Sequence, residues 1–258
     1  MDKIQEILSR FPVISLEEMN EVRLMNRADL KYIFHINKLE GVLESALGSY
    51  KLLTINDLNI LRYSTLYYDF PDLKMYYEHH NGVRSRFKIR FREYVDTGLV
   101  FLEVKEKNNR DKTRKERMPV KQIEETLSDK SVRFIESNTV FDAGKLRPAL
   151  RTEFSRITLV NEQKCQRITM DMNISFDNAK RKKELPYLVI CEMKLDRWVG
   201  QNIFTGILKS YGIHPQNMSK YGIGTALLNP DIKQNRFKEK IITLNKLKND
   251  TGSYQVAV

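Results

Sequence analysis

The sequence is poor in cysteine, with only Cys165 and Cys191 among 258 residues. Two cysteines cannot build a disulfide framework, and their scarcity favours a reducing compartment. No apolar run approaches the roughly 20 residues that a membrane-spanning helix needs. Charged residues also interrupt the first stretch of the chain, MDKIQEILSRFP, which argues against a signal peptide. These absences predict a globular protein of the cytoplasm.

Common catalytic and phosphate-binding motifs are missing as well. The sequence has no P-loop and no GxGxxG run, which excludes the common glycine-rich phosphate cradles. The four histidines have no metal-ligand spacing with each other or with the cysteines. No GxSxG motif or Cys/His arrangement supports nucleophilic catalysis. Any chemistry therefore depends on other side chains.

Basic residues are abundant, with 44 Lys and Arg against 33 Asp and Glu, for a formal net charge of +11. Hydrophobic residues make up 41% of the chain, which predicts a folded core rather than a disordered basic tail. Residues 83–118 alone hold twelve basic and six acidic residues, a net charge of +6. The charge predicts a polyanionic partner and leaves open nucleic acid, a membrane surface or a phosphate compound.

Cations alternate with uncharged residues from position 83 to 92. The cations of this row are Arg84, Arg86, Lys88, Arg90 and Arg92. Because side chains of a β-strand alternate between two faces, the row lies on one face, with Phe87 and Ile89 on the other. Two interpretations stay open, a solvated face of an antiparallel sheet or the lining of a cavity for a polyanion. The second explains better why no acid interrupts the row. RNA binding is less favoured, because the aromatic residues lie opposite the cations and not among them.

Further strands and helices are predicted by periodicity. Asp96-Thr97-Gly98 is a turn signal before a return strand at 99–107. Other predicted strands are 27–34, 113–120, 147–160, 167–171 and 188–195. Helices are predicted at 38–48, 72–79, 121–135, 201–211 and 219–228. Several strands present one charged face, which predicts an α+β domain: an antiparallel β-barrel with a basic interior and flanking helices over its apolar exterior.

Carboxylates lie among the cations on the predicted strands. They are Asp29, Glu103, Glu153, Asp171 and Glu192. Salt bridges would neutralise the cations and allow their burial. Alternatively, one or two carboxylates hold Mg²⁺ or Mn²⁺, which prefer oxygen ligands and bridge phosphate oxygens. Pattern alone does not decide between these roles.

Nine stretches, in order over about residues 22 to 228, resemble the VTC domain, the polyphosphate polymerase domain of the vacuolar transporter chaperone. They are RADLKYIF (27–34), YYDFPDLKMYYEH (67–79), RFKIRFREY (86–94), FLEVKEK (101–107), RKERMPV (114–120), RPALRTEFSR (147–156), RITMDMN (167–173), VICEMKLD (189–196) and MSKYGIG (218–224). This family belongs to the triphosphate tunnel metalloenzymes. The resemblance thus implies an antiparallel barrel around a basic tunnel, in agreement with the alternation.

The resemblance implies roles for many residues. By resemblance, a set of cations would line the tunnel and bind phosphates. They are Lys31, Arg90, Arg92, Lys105, Lys115, Arg156, Arg167 and Lys220. It also implies a hydroxyl contact from Ser219 and a Mn²⁺ or Mg²⁺ site at Glu192. We expect Arg90, Arg92, Lys105, Arg156 and Arg167 to act in catalysis. Arg86, Lys88 and Lys194 are added as substrate-binding candidates, and Glu103 and Asp29 as metal candidates, because they share the charged faces.

The sequence departs from the family pattern at two positions. Asn217 stands where the family often has a lysine before the Ser-Lys pair, and Phe154 stands where a tyrosine precedes the tunnel arginine. Both changes are expected to alter phosphate affinity or the preferred chain length. Neither removes the central set of cations.

The resemblance implies a polyphosphate polymerase that transfers the γ-phosphate of ATP to a growing chain. Alternatives are a hydrolase of triphosphates or nucleoside triphosphates on the same fold, and a non-catalytic polyphosphate-binding module. Expected partners are ATP, polyphosphate or another triphosphate, together with a separate membrane protein that would hold the chain at the inner face of a membrane. No nucleic acid is expected. The predicted divisions are an N-terminal helical segment (1–21), the tunnel domain (22–228) and a basic C-terminal extension (229–258). The extension is interpreted as a surface helix or a partly ordered, solvated tail, with the solvated tail favoured.

Overall fold

The computed structural model describes residues 2–21, 27–108, 113–196 and 202–250. The strands in this part of the chain are β1 (Val13–Ile14), β2 (Arg27–His35), β3 (Lys51–Leu53), β4 (Leu61–Asp69), β5 (Arg86–Tyr94), β6 (Leu99–Lys107), β7 (Thr113–Val120), β8 (Arg147–Asn161), β9 (Gln166–Asp177), β10 (Lys182–Leu185) and β11 (Leu188–Asp196). The α-helices are α1 (Asp2–Ser9), α2 (Leu16–Glu21), α3 (Leu39–Ala46), α4 (Lys74–Asn81), α5 (Asp129–Asn138), α6 (Ile203–Ser210), α7 (Lys220–Leu228) and α8 (Lys238–Lys248).

One curved, mainly antiparallel sheet organises the fold. Its main path runs β2-β11-β9-β8-β4-β5-β6-β7, while β10 pairs with β9, and β3 joins β8 on one side and β1 on the other. The curvature brings distant strands face to face. As a result, Lys105 on β6 interacts electrostatically with Lys31 on β2 and Glu192 on β11. Within the described ranges β2 and β7 do not pair with each other, so the sheet is not closed. The predicted α+β fold with a barrel-like tunnel is confirmed.

The outer face of the sheet is apolar and covered by helices. On one side, Ile89 and Phe91 of β5 share a buried cluster with Leu102 of β6 and Ile135 of α5. On the other, a second cluster joins buried residues of β8, β9 and β11 to α1, α3 and α6. The apolar half of each alternating strand is therefore used in packing. The charged half is left on the concave inner face.

Helix α7 fills one end of the inner face. Its Tyr221 and Ile223 lie in one apolar cluster with Tyr67 of β4 and Phe176 of β9. The buried carboxylate of Asp69, the last residue of β4, accepts hydrogen bonds from the backbone N–H groups at the start of α4 and from the Tyr221 hydroxyl. Asp69 thus ties two helices to the sheet and fixes the place where α7 begins.

Two details of the predicted elements are wrong. Arg84 precedes β5, which begins at Arg86, so Arg84 does not belong to the strand's row of cations. The segment 121–128 is not helical, because α5 begins only after Ser128. Ser128 caps this helix by accepting from the Ser131 N–H, and a cap residue has non-helical backbone angles, so the helix starts there.

The described part of the C-terminal extension contains a surface helix, α8, one side of which packs on the core. Phe237 is 4% exposed and Leu244 in α8 is 1% exposed, and both belong to the apolar cluster that contains Tyr221. Two apolar anchors about two helical turns apart are enough to hold a charged helix on the core. Among the described residues, no α-helix combines the length and apolar character that crossing a bilayer requires.

Gly224 lets α7 approach the sheet closely. A Cβ atom there would lie 2.6 Å from Cδ1 of Phe176 and 2.8 Å from Cδ2 of Leu150, both fully enclosed in the core. We expect Gly224→Ala to lower the free energy of unfolding by about 1–3 kcal/mol through overpacking. Gly206→Ala in α6 is the matched control, because its Cβ meets no atom within 4 Å. It should be neutral or stabilising by up to about 1 kcal/mol in denaturant unfolding. Equal effects of both substitutions would contradict this role of Gly224.

Candidate phosphate-binding site

Three carboxylates organise the inner face, and the first is Glu103 on β6. Its Oε2 accepts from Arg90 Nε at 2.7 Å and from Nη2 at 2.6 Å, while Lys115 Nζ lies 2.5 Å from Oε1. The three residues occupy neighbouring positions on β5, β6 and β7. Burial alone would raise the pKa of Glu103, but Arg90, Arg92 and Lys115 lower it to about 2. Glu103 therefore stays ionised and holds two cations across three strands.

Asp171 on β9 is the second carboxylate. Arg156 on β8 binds it in a bidentate fork, with Nε–Oδ1 at 2.5 Å and Nη2–Oδ2 at 2.8 Å. Lys220, the first residue of α7, also donates to Oδ2. Burial opposes ionisation of Asp171, yet these two cations lower its pKa to about 2. Asp171 thereby holds an arginine from the sheet beside a lysine from the helix.

Glu192 on β11 is the third carboxylate and the most accessible. Lys31 on β2 lies 3.1 Å from Oε2, and Lys194 lies 3.5 Å from Oε1. Its side chain is 27% exposed, against 1% for Glu103. Burial would raise the pKa of Glu192, but Lys194 and Lys31 hold it well below the usual range. The carboxylate is ionised and is held by lysines alone, without an arginine fork.

Other cations on this face have no carboxylate partner in the part of the chain that the structure describes. Arg92 makes no hydrogen bond or ion pair there, and its Nε is buried. Lys105 likewise has none, and burial together with the charge of Arg90 lowers its pKa to about 8. Lys88 donates only to Ser219 Oγ, at 3.0 Å. Burying a cation without a counter-charge costs free energy. These cations therefore favour the binding of an anion, which would supply the missing negative charge.

Lys88 has the most strongly lowered lysine pKa on this face. Burial, and then the positive charges of Lys105 and Arg90, lower it to about 7. Its partner Ser219 also caps α7 by accepting from the Gly222 N–H at 3.2 Å. The positive end of this helix therefore lies close to Lys88, which adds to the attraction for an anion.

Aromatic rings support several of these cations. Tyr63 and Phe154 stack with centroids 5.1 Å apart and planes 3° apart. The Arg156 guanidinium lies 4.9 Å from the Tyr63 centroid, and Lys220 Nζ lies 4.3 Å from that of Phe154. Arg92 is 5.9 Å from Tyr63. The expected tyrosine hydroxyl is absent at Phe154, and the ring contributes cation–π contacts there.

The remaining predicted residues lie toward the margins of the inner face. Arg86, at the start of β5, donates to the Val83 carbonyl at 2.6 Å. Arg167 Nη2 donates to the carbonyl of Met19 in α2 at 3.0 Å. Asp29 is exposed near the start of β2, opposite Lys194 in the strand register. Asp29 still interacts electrostatically with Lys105, and Arg86 with Lys88.

A divalent metal fits this site only with help from a ligand. The described residues contain no group of three or more His, Cys, Asp or Glu side chains that could hold a metal ion. Glu103 and Asp171 are enclosed by arginine and lysine, so Glu192 is the best available donor. Mg²⁺ commonly takes one or two carboxylates and completes its shell with water and substrate phosphates. Glu192 with phosphate oxygens meets that requirement.

Sequence reasoning found the cations and missed how they are held. The sequence pattern allows Asp171 to be a salt-bridge partner or a metal ligand, and the structure shows salt bridges to Arg156 and Lys220. Tyr67, whose hydroxyl accepts from Arg90 Nη1 at 3.2 Å, and Tyr63 were not identified as neighbours of the cations. Both belong to β4, which is buried along almost its whole length and has no charged alternation to reveal it.

The described residues form a curved antiparallel sheet with helices over its outer face and cations on its inner face. The sequence profile of the VTC domain matches residues 26–229. The chain therefore belongs to the VTC domain family.

Several solved structures are similar to this chain at low sequence identity. HpAC1 from Hippeastrum, described as having a dominant triphosphatase activity, is similar with a TM-score of 0.50 and 14% identity, over 79% of this chain and 97% of that chain. A candidate adenylate cyclase from Vibrio parahaemolyticus has a TM-score of 0.46 and 11% identity, over 78% and 98%. PH1819 from Pyrococcus horikoshii has a TM-score of 0.42 and 12% identity, over 76% of this chain and 97% of that chain. No match was found among the curated proteins.

Asp171→Asn should destabilise the protein in a way that an anion reverses. Removing this charge leaves Arg156 and Lys220 buried without a carboxylate, which costs about 3 kcal/mol. Pyrophosphate can replace the lost charge, so it should raise the melting temperature of the variant more than that of the wild type. Asp177→Asn at the end of the same strand is the control, because among the described residues its carboxylate accepts a hydrogen bond from the Ala179 N–H and forms no ion pair within 4 Å. A pyrophosphate response equal to the wild type would contradict the prediction.

Anion affinity should fall as the pH rises through 7 to 8. The pKa of Lys88 is lowered to about 7 and that of Lys105 to about 8, so both lose their positive charge in this range. We expect sulfate, whose own charge is constant here, to bind the metal-free protein more tightly at pH 6 than at pH 9 in calorimetric titrations. Lys88→Arg keeps its charge and should flatten the part of the profile near pH 7. A profile that Lys88→Arg leaves unchanged would argue against this role of Lys88.

Proposed function

We propose that this protein is a polyphosphate polymerase, which binds the triphosphate of ATP on its inner face and transfers the γ-phosphate to a growing polyphosphate chain. The single observation that carries this proposal is the group of partly buried cations without carboxylate partners in the described part of the chain, above all Arg92 and Lys105. Phosphoryl transfer depends mainly on positioning and on neutralising charge. A lining of fixed cations supplies both.

The cations differ in what they contribute. Arg90, Arg92, Arg156 and Arg167 would bind non-bridging oxygens, because a guanidinium offers paired donors in a rigid fork. The lysines that would act as point charges along the chain of phosphates are Lys31, Lys88, Lys105, Lys115, Lys194 and Lys220. Ser219 would add a hydroxyl contact. Arg86 at the margin would attract the incoming polyanion.

Glu192 would hold Mn²⁺ or Mg²⁺ together with phosphate oxygens of the substrate. When bound, the ion supplies charge neutralisation on the phosphates. The role of Glu192 itself is to keep an ionised carboxylate accessible between Lys31 and Lys194. Glu103 and Asp171 position cations in this proposal, and Asp29 is left at the margin.

A triphosphate hydrolase is the second candidate. The observation that favours it is the open side of the sheet between β7 and β2, where Lys115 keeps 40% of its side chain exposed. Water can reach the inner face from this side and replace the end of a phosphate chain as acceptor. The triphosphatase activity described for HpAC1 is in line with this alternative. A purely binding module is the third candidate, and a cytoplasmic location and a membrane partner stay predictions.

The test is incubation of the purified protein with ATP and Mn²⁺, followed by separate assays for long polyphosphate and for free phosphate. The expected result is polyphosphate together with ADP. Free phosphate without polyphosphate would contradict the polymerase and indicate a hydrolase. Arg92→Ala should lower the rate by about 10²-fold, as for other lost preorganised donors. Arg84→Ala is the matched control, since Arg84 is exposed and lies just outside β5.

Glu192→Gln separates an enzyme from a binding module. An enzyme should lose activity with this variant while polyphosphate binding persists, because binding requires cations and catalysis also requires the carboxylate. A well-folded wild type that forms neither polymer nor ADP, yet binds polyphosphate, would leave only the binding module. Tight, salt-dependent DNA binding that tunnel-arginine variants abolish would overturn the phosphate-chain proposal itself.

A further inference from the structure

The N-terminal segment contacts the inner face although it precedes the part matched by the VTC domain, 26–229. The carbonyl oxygen of Met19 in α2 accepts a hydrogen bond from Arg167 Nη2 at 3.0 Å. Arg167 is one of the cations proposed to bind phosphate oxygens. The Met19 carbonyl therefore occupies an N–H donor of Arg167 that would otherwise bind the substrate.

Apolar contacts hold this segment in place. Met19 is 6% exposed and Ile14 is 1% exposed, and both belong to the apolar cluster that includes Tyr63 and Leu53. Strand β1 also pairs with β3, with Ile14 opposite Leu53. The segment is thus docked against the same end of the fold from which Arg167 projects.

Ser15 fixes the start of α2 and the position of Met19. Its Oγ accepts from the Glu18 N–H at 3.2 Å, and Glu18 Oε2 accepts from the Ser15 N–H at 2.8 Å, which is a capping box. The Ser15 carbonyl also accepts from the Met19 N–H at 3.0 Å. Loosening this cap should therefore loosen the carbonyl that Arg167 binds.

Arg167 lies away from the cations held by Asp171. The two residues are four positions apart on the same face of β9, which corresponds to about 13 Å at the usual rise of about 3.3 Å per residue. A short anion bound at Arg156 and Lys220 leaves Arg167 with Met19. A longer chain of phosphates extends to Arg167, where a charged oxygen is a stronger acceptor than a carbonyl.

We propose that α2 sets the length of the phosphate chain that this protein accepts, because Met19 competes with phosphate for Arg167. This role rests on the proposed function, since it requires a phosphate chain along the inner face. Short chains bind without disturbing α2. Long chains take Arg167 and must undock the segment, so their affinity is reduced by the free energy of docking.

The test is a double-mutant cycle read by calorimetric binding of pyrophosphate and of long-chain polyphosphate to the full chain. Ser15→Ala should tighten long-chain binding by about fivefold, the equivalent of a lost cap worth about 1 kcal/mol. Pyrophosphate affinity should not change. In an Arg167→Ala background Ser15→Ala should have no effect on either ligand, because the competition has been removed.

Ser9→Ala is the matched control, because Ser9 also bonds a backbone carbonyl in the N-terminal segment, that of Glu6, but lies in α1. It should leave both affinities unchanged. A second measurement needs no variant: long-chain polyphosphate should speed amide exchange in residues 16–21 of the wild type, and pyrophosphate should not.

The outcomes separate the two proposals. If wild-type protein binds no polyphosphate, the proposed function and the role of α2 both fail. If the wild type binds polyphosphate, two results would overturn only the role of α2. One is an equal effect of Ser15→Ala on long-chain affinity with and without Arg167, and the other is an equal effect on pyrophosphate affinity. Unchanged amide exchange in 16–21 with long-chain polyphosphate would overturn it as well.

Discussion

The structure depends on burying many like charges on one face of a sheet. Such a face is unstable unless counter-charges are placed among the cations. Glu103, Asp171 and Glu192 meet this need, and each contacts two cations from different parts of the chain. They leave the cations in excess, so part of the positive charge is still available to a ligand. Stability of the empty protein and affinity for phosphate are therefore set by the same balance.

The alternating strands could be predicted because their two faces differ in chemistry. In β5 and β6 a cationic face opposes residues such as Phe91 and Leu102, so the period of two is visible in the sequence. In β4 both faces are buried, and the run LRYSTLYYD has no such period. The periodicity of the sequence therefore does not predict that the tyrosines of β4 contact the arginines.

The cationic side chains of the site could be predicted, but their partners could not. Arg90 and Glu103 are joined by a hairpin and lie close in sequence, whereas Asp171 binds a lysine 49 positions away and Arg167 binds a carbonyl 148 positions away. Such pairs depend on how the sheet curves and where helices dock. The sequence could suggest that Asp171 had a charged partner without saying which one.

The division of β5 into two faces has a consequence for how this protein tolerates change. Its apolar side chains pack under α5, while Lys88, Arg90 and Arg92 line the inner face. Single substitutions on the inner side do not disturb the apolar packing, and those that leave every carboxylate paired can change the ligand preference while the fold persists. Inserting or deleting one residue exchanges the two sides, burying the cations under the helix and moving Ile89 and Phe91 inward. The register of β5 thus maintains both the packing of the fold and the cationic inner face. The number of residues in this strand is therefore more strictly constrained than their identity.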